Sequence, residues 1–385
     1  MNHIISYLSL LLRILFNFLP PKKQISFNSF HGMYSDSPRY ISELVHERLP
    51  DVQIIWEAAP KSHEQLPAYI KPVAPGSVAA VYADCTSRIT VDNYMGAVYG
   101  HTASRLKAAI LRMAKQKRQF SICTWHGTAL KKINQDEPCN IGKKLYFYSS
   151  GDLLMCGNQF MKELYDRQSK CKLRTVLMGT PRNDILFDCS DEKKLRLKER
   201  LCLSADKKIV LFAPTFRESQ KTNEMLQNID YHSILNACKA RFGGEWVFVF
   251  RAHDSLVENL KGHAADARVL SGNVGDDMAE YLAVTDILIT DYSSSMFDYL
   301  LTKRPCYLYC PDLEEYSTVE RGLYFSLDEL PFTYGETIDA VVENICSFRQ
   351  DEYQKKAEEF LYRIGNVEDG TATQKIVDLI VEKMG

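Results

Sequence analysis

The sequence predicts an α/β protein made of two doubly wound parallel-sheet domains in tandem. Three observations carry this. Short β-branched or aromatic runs alternate with helical patterns along nearly the whole chain. The strand runs are almost continuously apolar, as parallel strands covered on both faces must be. The length of 385 residues, at roughly 150 per domain, supplies two separate cores.

The chain opens on a compositional anomaly. Residues 1–23 are strongly apolar, yet Asn2, Ser6, Ser9, Arg13 and Asn17 recur at helical spacing and form one narrow polar stripe. Pro20-Pro21-Lys22-Lys23 ends this helix with positive charge. A spanning helix would need about 20 apolar residues without a central arginine, and a secretory signal would need a small-residue cleavage site. The segment reads as an amphipathic helix lying in the plane of an anionic membrane surface, with packing on the protein's own core as the alternative.

Residues 24–30, 52–57, 88–91, 120–124, 153–156 and 175–178 read as strands of a first domain, and 37–49, with Pro38 in its first turn, as a crossover helix. A charged helical stretch at 191–200 precedes a second series of strands at 209–213, 246–250, 267–270, 287–290 and 306–309. The expected division is a helix at 1–23, a domain at 24–195 and a domain at 196–385. Ligands of such sheets lie beyond the carboxyl ends of the strands, which places the expected site in a cleft between the domains. There is no internal repeat and no low-complexity segment.

With 47 basic against 49 acidic residues, nothing global attracts nucleic acid, and any anion site must be local. Eleven cysteines without a CxxC pair indicate neither a disulfide framework nor a zinc site, and a reducing cytosol fits best.

The residues able to do chemistry sit where strands end. After 120–124 comes Trp125-His126-Gly127-Thr128, then Leu130-Lys131-Lys132. The glycine frees the turn and leaves an imidazole suited to general-base work near neutral pH, a structural histidine being the alternative. After 175–178 comes Gly179-Thr180-Pro181-Arg182-Asn183-Asp184, either a phosphate-facing cation or a domain-edge turn with a local ion pair. Two further exits are Pro214-Thr215-Phe216-Arg217-Glu218 and Arg251-Ala252-His253-Asp254. Arginine can grip a phosphate bidentately and histidine can donate to its oxygens, whereas a surface ion pair is the plain alternative. The strand at 287–290 stops in Thr290-Asp291-Tyr292-Ser293-Ser294-Ser295-Met296-Phe297-Asp298, a hydroxyl cluster that opens a helix. It is a phosphate site or an ordinary serine N-cap. No HxH, HExxH or paired DxD occurs, and Asp276-Asp277 reads as a helix cap, so neither a metal nor another cofactor is indicated. Charge neutralisation by arginines and a helix N-terminus is the simpler device.

Taken in order, these motifs, with Arg321-Gly322 after them, resemble the CDP-glycerol glycerophosphotransferase family, whose members build wall teichoic acid and related bacterial polyol-phosphate polymers. The resemblance spans roughly residues 24–380, and Tyr34-Ser35-Asp36-Ser37-Pro38-Arg39-Tyr40 also looks like the family's N-terminal portion. It implies a GT-B-like fold of two Rossmann-like domains around a cleft, and a peripheral location on the cytoplasmic face of the cell membrane. It also implies transfer of glycerol phosphate from CDP-glycerol to a hydroxyl of a polyprenyl-linked saccharide or glycerophosphate acceptor, with release of CMP. By the same resemblance His126 is the base, and His253 is catalytic beside Arg251 at the donor pyrophosphate. Ser293, Ser294 and Ser295 would hold the donor phosphates, with Arg182, Thr215, Arg217, Thr290, Asp291, Asp298 and Arg321 around CDP-glycerol. Trp125, Gly127, Thr128 and Lys131 would lie on the acceptor side. One departure is Asp254, where the family usually has proline; a carboxylate there either raises the basicity of His253 or repels a phosphate. A CDP-ribitol donor and a GT-B sugar transferase remain the alternatives. The short portion before the motifs fits a primase or a compact polymerase without an appended domain.

Overall fold

The computed structural model describes residues 2–385 apart from 95–98, 103–117, 139–145, 150, 169–172, 189, 216–228, 252–265, 273–276 and 314–321. Its contacts divide the chain into two compact units. The first comprises 1–127, 142–184 and 366–385, and the second 128–141 and 185–365.

The strands of the first unit are β1 (Lys22–Phe27), β2 (Gln53–Glu57), β3 (Ile70–Val73), β4 (Ser87–Asp92), β5 (Tyr99–Thr102), β6 (Phe120–Cys123), β7 (Tyr146–Ser149), β8 (Leu153–Cys156) and β9 (Arg174–Leu177). Seven of them form one sheet in the order β3-β2-β1-β4-β6-β8-β9, with every pairing parallel. β5 and β7 pair separately and antiparallel. The described helices here are α1 (Asn2–Phe16), α2 (Asp36–Arg48), α3 (Val78–Thr86) and α4 (Gln159–Gln168). Ile25, Phe27, Trp56, Ile89, Val91, Ile122 and Met155 build the core, and Phe27 stacks on Trp56 across the β1–β2 pair.

The second unit holds β10 (Lys208–Phe212), β11 (Trp246–Phe250), β12 (Val269–Ser271), β13 (Ile287–Thr290), β14 (Cys306–Tyr309) and β15 (Thr333–Gly335). They form a parallel sheet in the order β12-β11-β10-β13-β14-β15. Its helices include α5 (Asp191–Arg200), α6 (Tyr231–Phe242), α7 (Met278–Val284), α8 (Ser295–Leu300), α9 (Ile338–Cys346) and α10 (Gln350–Arg363). Both sheets therefore have the Rossmann order, and in each the winding reverses beside the first strand: between β1 and β4, and between β10 and β13. Such reversals open the crevice where α/β sheets bind ligands.

Two features correct the expected domain limits of 24–195 and 196–385. The last helix, α11 (Ala372–Met384), returns to the first unit, because its apolar face of Ile376, Val377 and Ile380 is buried in the first core beside Ile41 and Val45 of α2. The segment 128–141 joins the second unit, where Lys131 bridges Leu323 and the Lys132 amide donates to the Gly322 carbonyl at 2.9 Å. The strands that sequence patterning overlooks in the two sheets are both at edges. β3 carries Pro72, which an edge strand tolerates, and β15 is three residues long.

The N-terminal helix also differs from expectation. α1 packs on α3 of its own unit, with Phe16 edge-on to Tyr82 at 5.3 Å. Arg13, a member of the polar stripe, points inward and pairs with Asp84 at 2.9 Å, both side chains being largely buried. For Arg13, packing on the protein's own core, the alternative for this segment, is the arrangement seen.

That ion pair sits in a polar cluster. Asp84 also accepts from the Ser26 hydroxyl (2.8 Å), and neighbouring Glu57 accepts from the Asn28 amide (2.9 Å) and the Gly76 N–H (2.8 Å). Burial, and then the charge of Asp84, push the Glu57 carboxyl above the ordinary range, while Gly76 and Arg13 oppose the shift. A carboxyl with a raised folded pKa contributes stability at low pH that is lost as pH rises through that value. Glu57→Gln should accordingly show a shallower loss of thermal stability between mildly acidic and neutral pH than the parent. Parallel melting-temperature curves for the two proteins would reject this coupling.

Candidate active site

In the first unit, β6 leads into Thr124-Trp125-His126-Gly127, with the Thr124 amide held by the Asp92 carbonyl at 2.8 Å. Trp125 has φ +54° and Gly127 φ +112°. A left-handed tryptophan costs roughly 1–2 kcal/mol, and packing offsets it here. Its ring lies over His126 at 3.8 Å and meets Tyr165 edge-on at 5.2 Å. Phe30 packs against His126 from another element at 5.2 Å.

The imidazole is oriented by a backbone group. His126 Nδ1 lies 3.1 Å from the Asn93 carbonyl oxygen. A carbonyl only accepts, so Nδ1 carries the proton and Nε2 carries the lone pair. Asn93 is fully buried and its amide donates to the Ser29 hydroxyl at 3.3 Å. Ser29 and Asn93 follow β1 and β4, the two sides of the first winding reversal. Sequence reasoning passed over Ser29, Phe30 and Asn93, although the strand-exit rule that found His126, applied to β1 and β4, points to them.

The turn after β9 resolves into a structural junction. Arg182 is buried, and its Nη1 donates to both oxygens of buried Asp36 at 2.9 and 3.1 Å. Glu368 accepts from the Thr180 amide (2.8 Å), and Asp184 accepts from the Ala372 and Thr373 amides (3.0 and 2.7 Å), capping α11. Burial raises the Asp184 carboxyl pKa, and those amides pull it back only in part. Arg182, expected around the donor, has its Nη1 in a buried ion pair with Asp36 within the first unit.

In the second unit the loops after β10 and β13 are tied across the winding reversal. The Thr215 amide donates to both oxygens of Asp291 (3.0 and 2.9 Å), and its hydroxyl donates to the same carboxylate at 2.7 Å. The buried Thr290 hydroxyl donates to the Ala213 carbonyl at 2.6 Å. Thr215, Thr290 and Asp291, expected around the donor, brace the two loops, since strand-exit polar groups satisfy one another when buried.

The serines behave differently. Ser294 occupies the N-cap position of α8 but has helical backbone angles and makes no side-chain capping bond, whereas the Ser293 hydroxyl accepts from the Ser295 amide at 3.4 Å, so the ordinary-cap alternative still stands for Ser293. Ser293 and Ser295 hydroxyls lie 2.9 Å apart. Asp298 is buried within α8. With six residues, α8 contributes little macrodipole, so the hydroxyls carry whatever anion affinity the junction has. Arg251, at the end of β11, is held by the Gly272 carbonyl and lies over the Tyr281 ring at 4.6 Å. Thr128 and Lys131, expected beside His126, belong to the second unit. Arg217, His253 with Asp254, and Arg321 lie outside the described residues. Asp277 caps α7 by accepting from the Ala279 amide, as its sequence position suggests. Among the described residues no group of three or more His, Cys, Asp or Glu is placed to hold a metal ion, and no helix is long and apolar enough to cross a membrane.

Residues 11–382 match the model of the CDP-Glycerol:Poly(glycerophosphate) glycerophosphotransferase family. The chain belongs to that family. Among its glycerophosphotransferase relatives, the teichoic acid poly(glycerol phosphate) polymerase of Bacillus subtilis is 28% identical over 93% of the chain, which spans 48% of that protein. The chain thus covers about half the length of the first relatives it matches. The teichoic acid glycerol-phosphate transferase of Staphylococcus aureus is also 28% identical, over 94% of both chains. A teichoic acid poly(ribitol-phosphate) polymerase of Bacillus spizizenii is 30% identical over 54% of the chain and 33% of its own length. The structure of the wall teichoic acid polymerase TagF, as a histidine variant soaked with CDPG, aligns with a TM-score of 0.76 at 26% identity, covering 100% of this chain and 95% of that one. The two parallel-sheet units are accordingly those of a GT-B-like fold.

Proposed function

We propose that the chain transfers glycerol phosphate from CDP-glycerol to a hydroxyl of a lipid-linked saccharide or glycerophosphate, releasing CMP at the cytoplasmic face of the membrane. The observation that carries this is His126: its Nδ1–H is engaged by the Asn93 carbonyl, so Nε2 is the basic nitrogen. In this scheme Nε2 takes the acceptor proton as the acceptor oxygen bonds to the β-phosphorus. The bond from that phosphorus to the bridging oxygen breaks, and CMP leaves with the electron pair. Arg251, and by family resemblance His253, Arg217 and Arg321, neutralise charge on the departing CMP. The Ser293–Ser295 hydroxyls hold the donor phosphates, and Trp125 flanks the acceptor.

Glycerol is favoured over ribitol by extent of match. The two glycerol-phosphate relatives align over 93% and 94% of the chain, the ribitol-phosphate polymerase over 54%. Supplying CDP-glycerol, CDP-ribitol and UDP-sugars separately, with a lipid-linked acceptor analogue, should give CMP with CDP-glycerol. UDP release, or CMP only from CDP-ribitol, would overturn the assignment.

The serine junction makes a separate prediction. Ser294→Ala removes a hydroxyl that caps nothing, so stability should be unchanged while donor KM rises roughly 10-fold, the scale of one lost hydrogen bond to a charged group. A donor KM at the parent value would remove Ser294 from the site.

A further inference from the structure

We infer that residues 128–136 form a strap through which the second unit sets the position of the general base, with Tyr324 and Asp136 as its positioning residues. This deepens the reaction proposed above and rests on its assignment of His126. The chain leaves the first unit at Gly127, one residue after the imidazole, and 128–141 is part of the second unit. A base one peptide away from a unit boundary takes its place from both sides of that boundary. On the first side the ring is oriented by the Asn93 carbonyl and packed by Trp125 and Phe30. Gly127, at φ +112°, is the joint.

On the other side the strap is fastened along its length. The Tyr324 amide donates to the carbonyl of buried Leu130 at 2.8 Å, Lys131 bridges Leu323, and the Lys132 amide donates to the Gly322 carbonyl at 2.9 Å. The Tyr324 side chain ties the far end: its hydroxyl accepts from the Ile133 amide (3.2 Å) and donates to the Asp136 carboxylate (2.9 Å). A hydroxyl can do both at once, and a bond to a carboxylate is the stronger kind. Between those two residues Asn134 turns the chain at φ +56°, its amide held by Glu137 at 3.2 Å. The segment that receives the strap is also tied to the donor side. Arg321, expected around CDP-glycerol, precedes Gly322 in sequence, and Phe325 packs on Phe297 at 6.4 Å, in the helix α8 that opens at the serine junction. Gly322 to Phe325 thus meets the helix of the proposed donor-phosphate site and the chain that carries the base. Misplacing a reacting group by about 1 Å can cost 10²-fold in rate, and a strap fixed at both ends guards against that.

The test is a double-mutant cycle in the full chain, read by single-turnover CMP release from CDP-glycerol with a glycerophosphate acceptor. Tyr324→Phe keeps the ring and removes both bonds of the hydroxyl. It should slow CMP release roughly 10-fold, the scale of one lost hydrogen bond to a charged group, with the Kd for CDP-glycerol near the parent value. In a His126→Ala background the same change should alter the residual rate by about 2-fold or less, because no base is left to place. Asp136→Ala should repeat this pattern and carries the cycle where Tyr324→Phe does not fold. Asp136→Asn, which keeps an oxygen able to accept from Tyr324, should recover most of the loss. A strap that only stabilises the second unit predicts a lower melting temperature and equal factors in the two backgrounds. Equal factors would therefore overturn the inference, as would parent rates in both Tyr324→Phe and Asp136→Ala, or a raised Kd at an unchanged rate, which would put Tyr324 on the donor. His126→Ala at the parent rate would remove the base and the strap together, whereas a slow His126→Ala with equal factors would remove the strap alone.

Discussion

His126→Ala is expected to slow CMP release by about 10²–10⁴-fold while leaving CDP-glycerol affinity near the parent value, the loss associated with a removed general base. That range corresponds to about 2.7–5.4 kcal/mol of transition-state stabilisation at 1.36 kcal/mol per decade. The geometry motivates the asymmetry. Nδ1 is tied to the Asn93 carbonyl, and the ring is flanked by Trp125 and Phe30 of the first unit, so truncation removes a proton acceptor held in a fixed orientation. Single-turnover CMP release measures the chemical step, and equilibrium titration with CDP-glycerol measures donor binding. Free imidazole should restore part of the rate to His126→Ala, because the vacated space is bounded by Trp125 and Phe30. Ser29→Ala, which leaves the imidazole intact and loosens only the amide of Asn93, should lose a smaller factor. A His126→Ala protein releasing CMP at the parent rate would end the base assignment.

Much of the frame was legible in the sequence, for reasons that particular residues make clear. Parallel strands covered on both faces leave runs such as Val247-Phe248-Val249-Phe250, and these mark a sheet without knowledge of its neighbours. His126 was legible because a glycine after a strand forces a turn at the sheet's ligand-binding edge. What local sequence does not carry is the partner of a polar group. Thr215, Thr290, Asp291 and Arg182 all sit at strand exits, yet each is bonded to another part of its own unit. A donor contact and an internal brace look the same until the second residue is placed. Periodicity has the same limit in α1: it separates a polar from an apolar side, but Asp84 on α3 decides which side turns inward. α11 likewise reads as an amphipathic helix, while its docking on α2 depends on residues at the other end of the chain.

The buried ion pair of Arg182 with Asp36 yields the largest stability effect. Arg182→Ala should destabilise the first unit by about 3–5 kcal/mol, the usual cost of leaving one member of a buried pair behind. For a unit of this size that lowers its melting temperature by about 6–20 °C. Asp36 is what makes the cost high. It is buried, stands at the start of α2 with φ +62°, and accepts two hydrogen bonds from the Arg182 Nη1. A non-glycine residue in that region costs roughly 1–3 kcal/mol and persists only where its surroundings over-determine it. Asp36→Asn isolates the charge, because asparagine tolerates the same backbone angle. On its own it should destabilise, since it leaves Arg182 buried without its counter-ion. The double variant Arg182→Met/Asp36→Asn should then be less destabilised than the sum of the single changes, with a coupling of about 1–3 kcal/mol. Kinetics separate this role from a donor contact. A bracing Arg182 predicts a lower melting temperature and near-parent donor KM in the protein that remains folded. An Arg182 on the donor predicts the reverse, and a raised KM with an unchanged melting temperature would return it to the CDP-glycerol site.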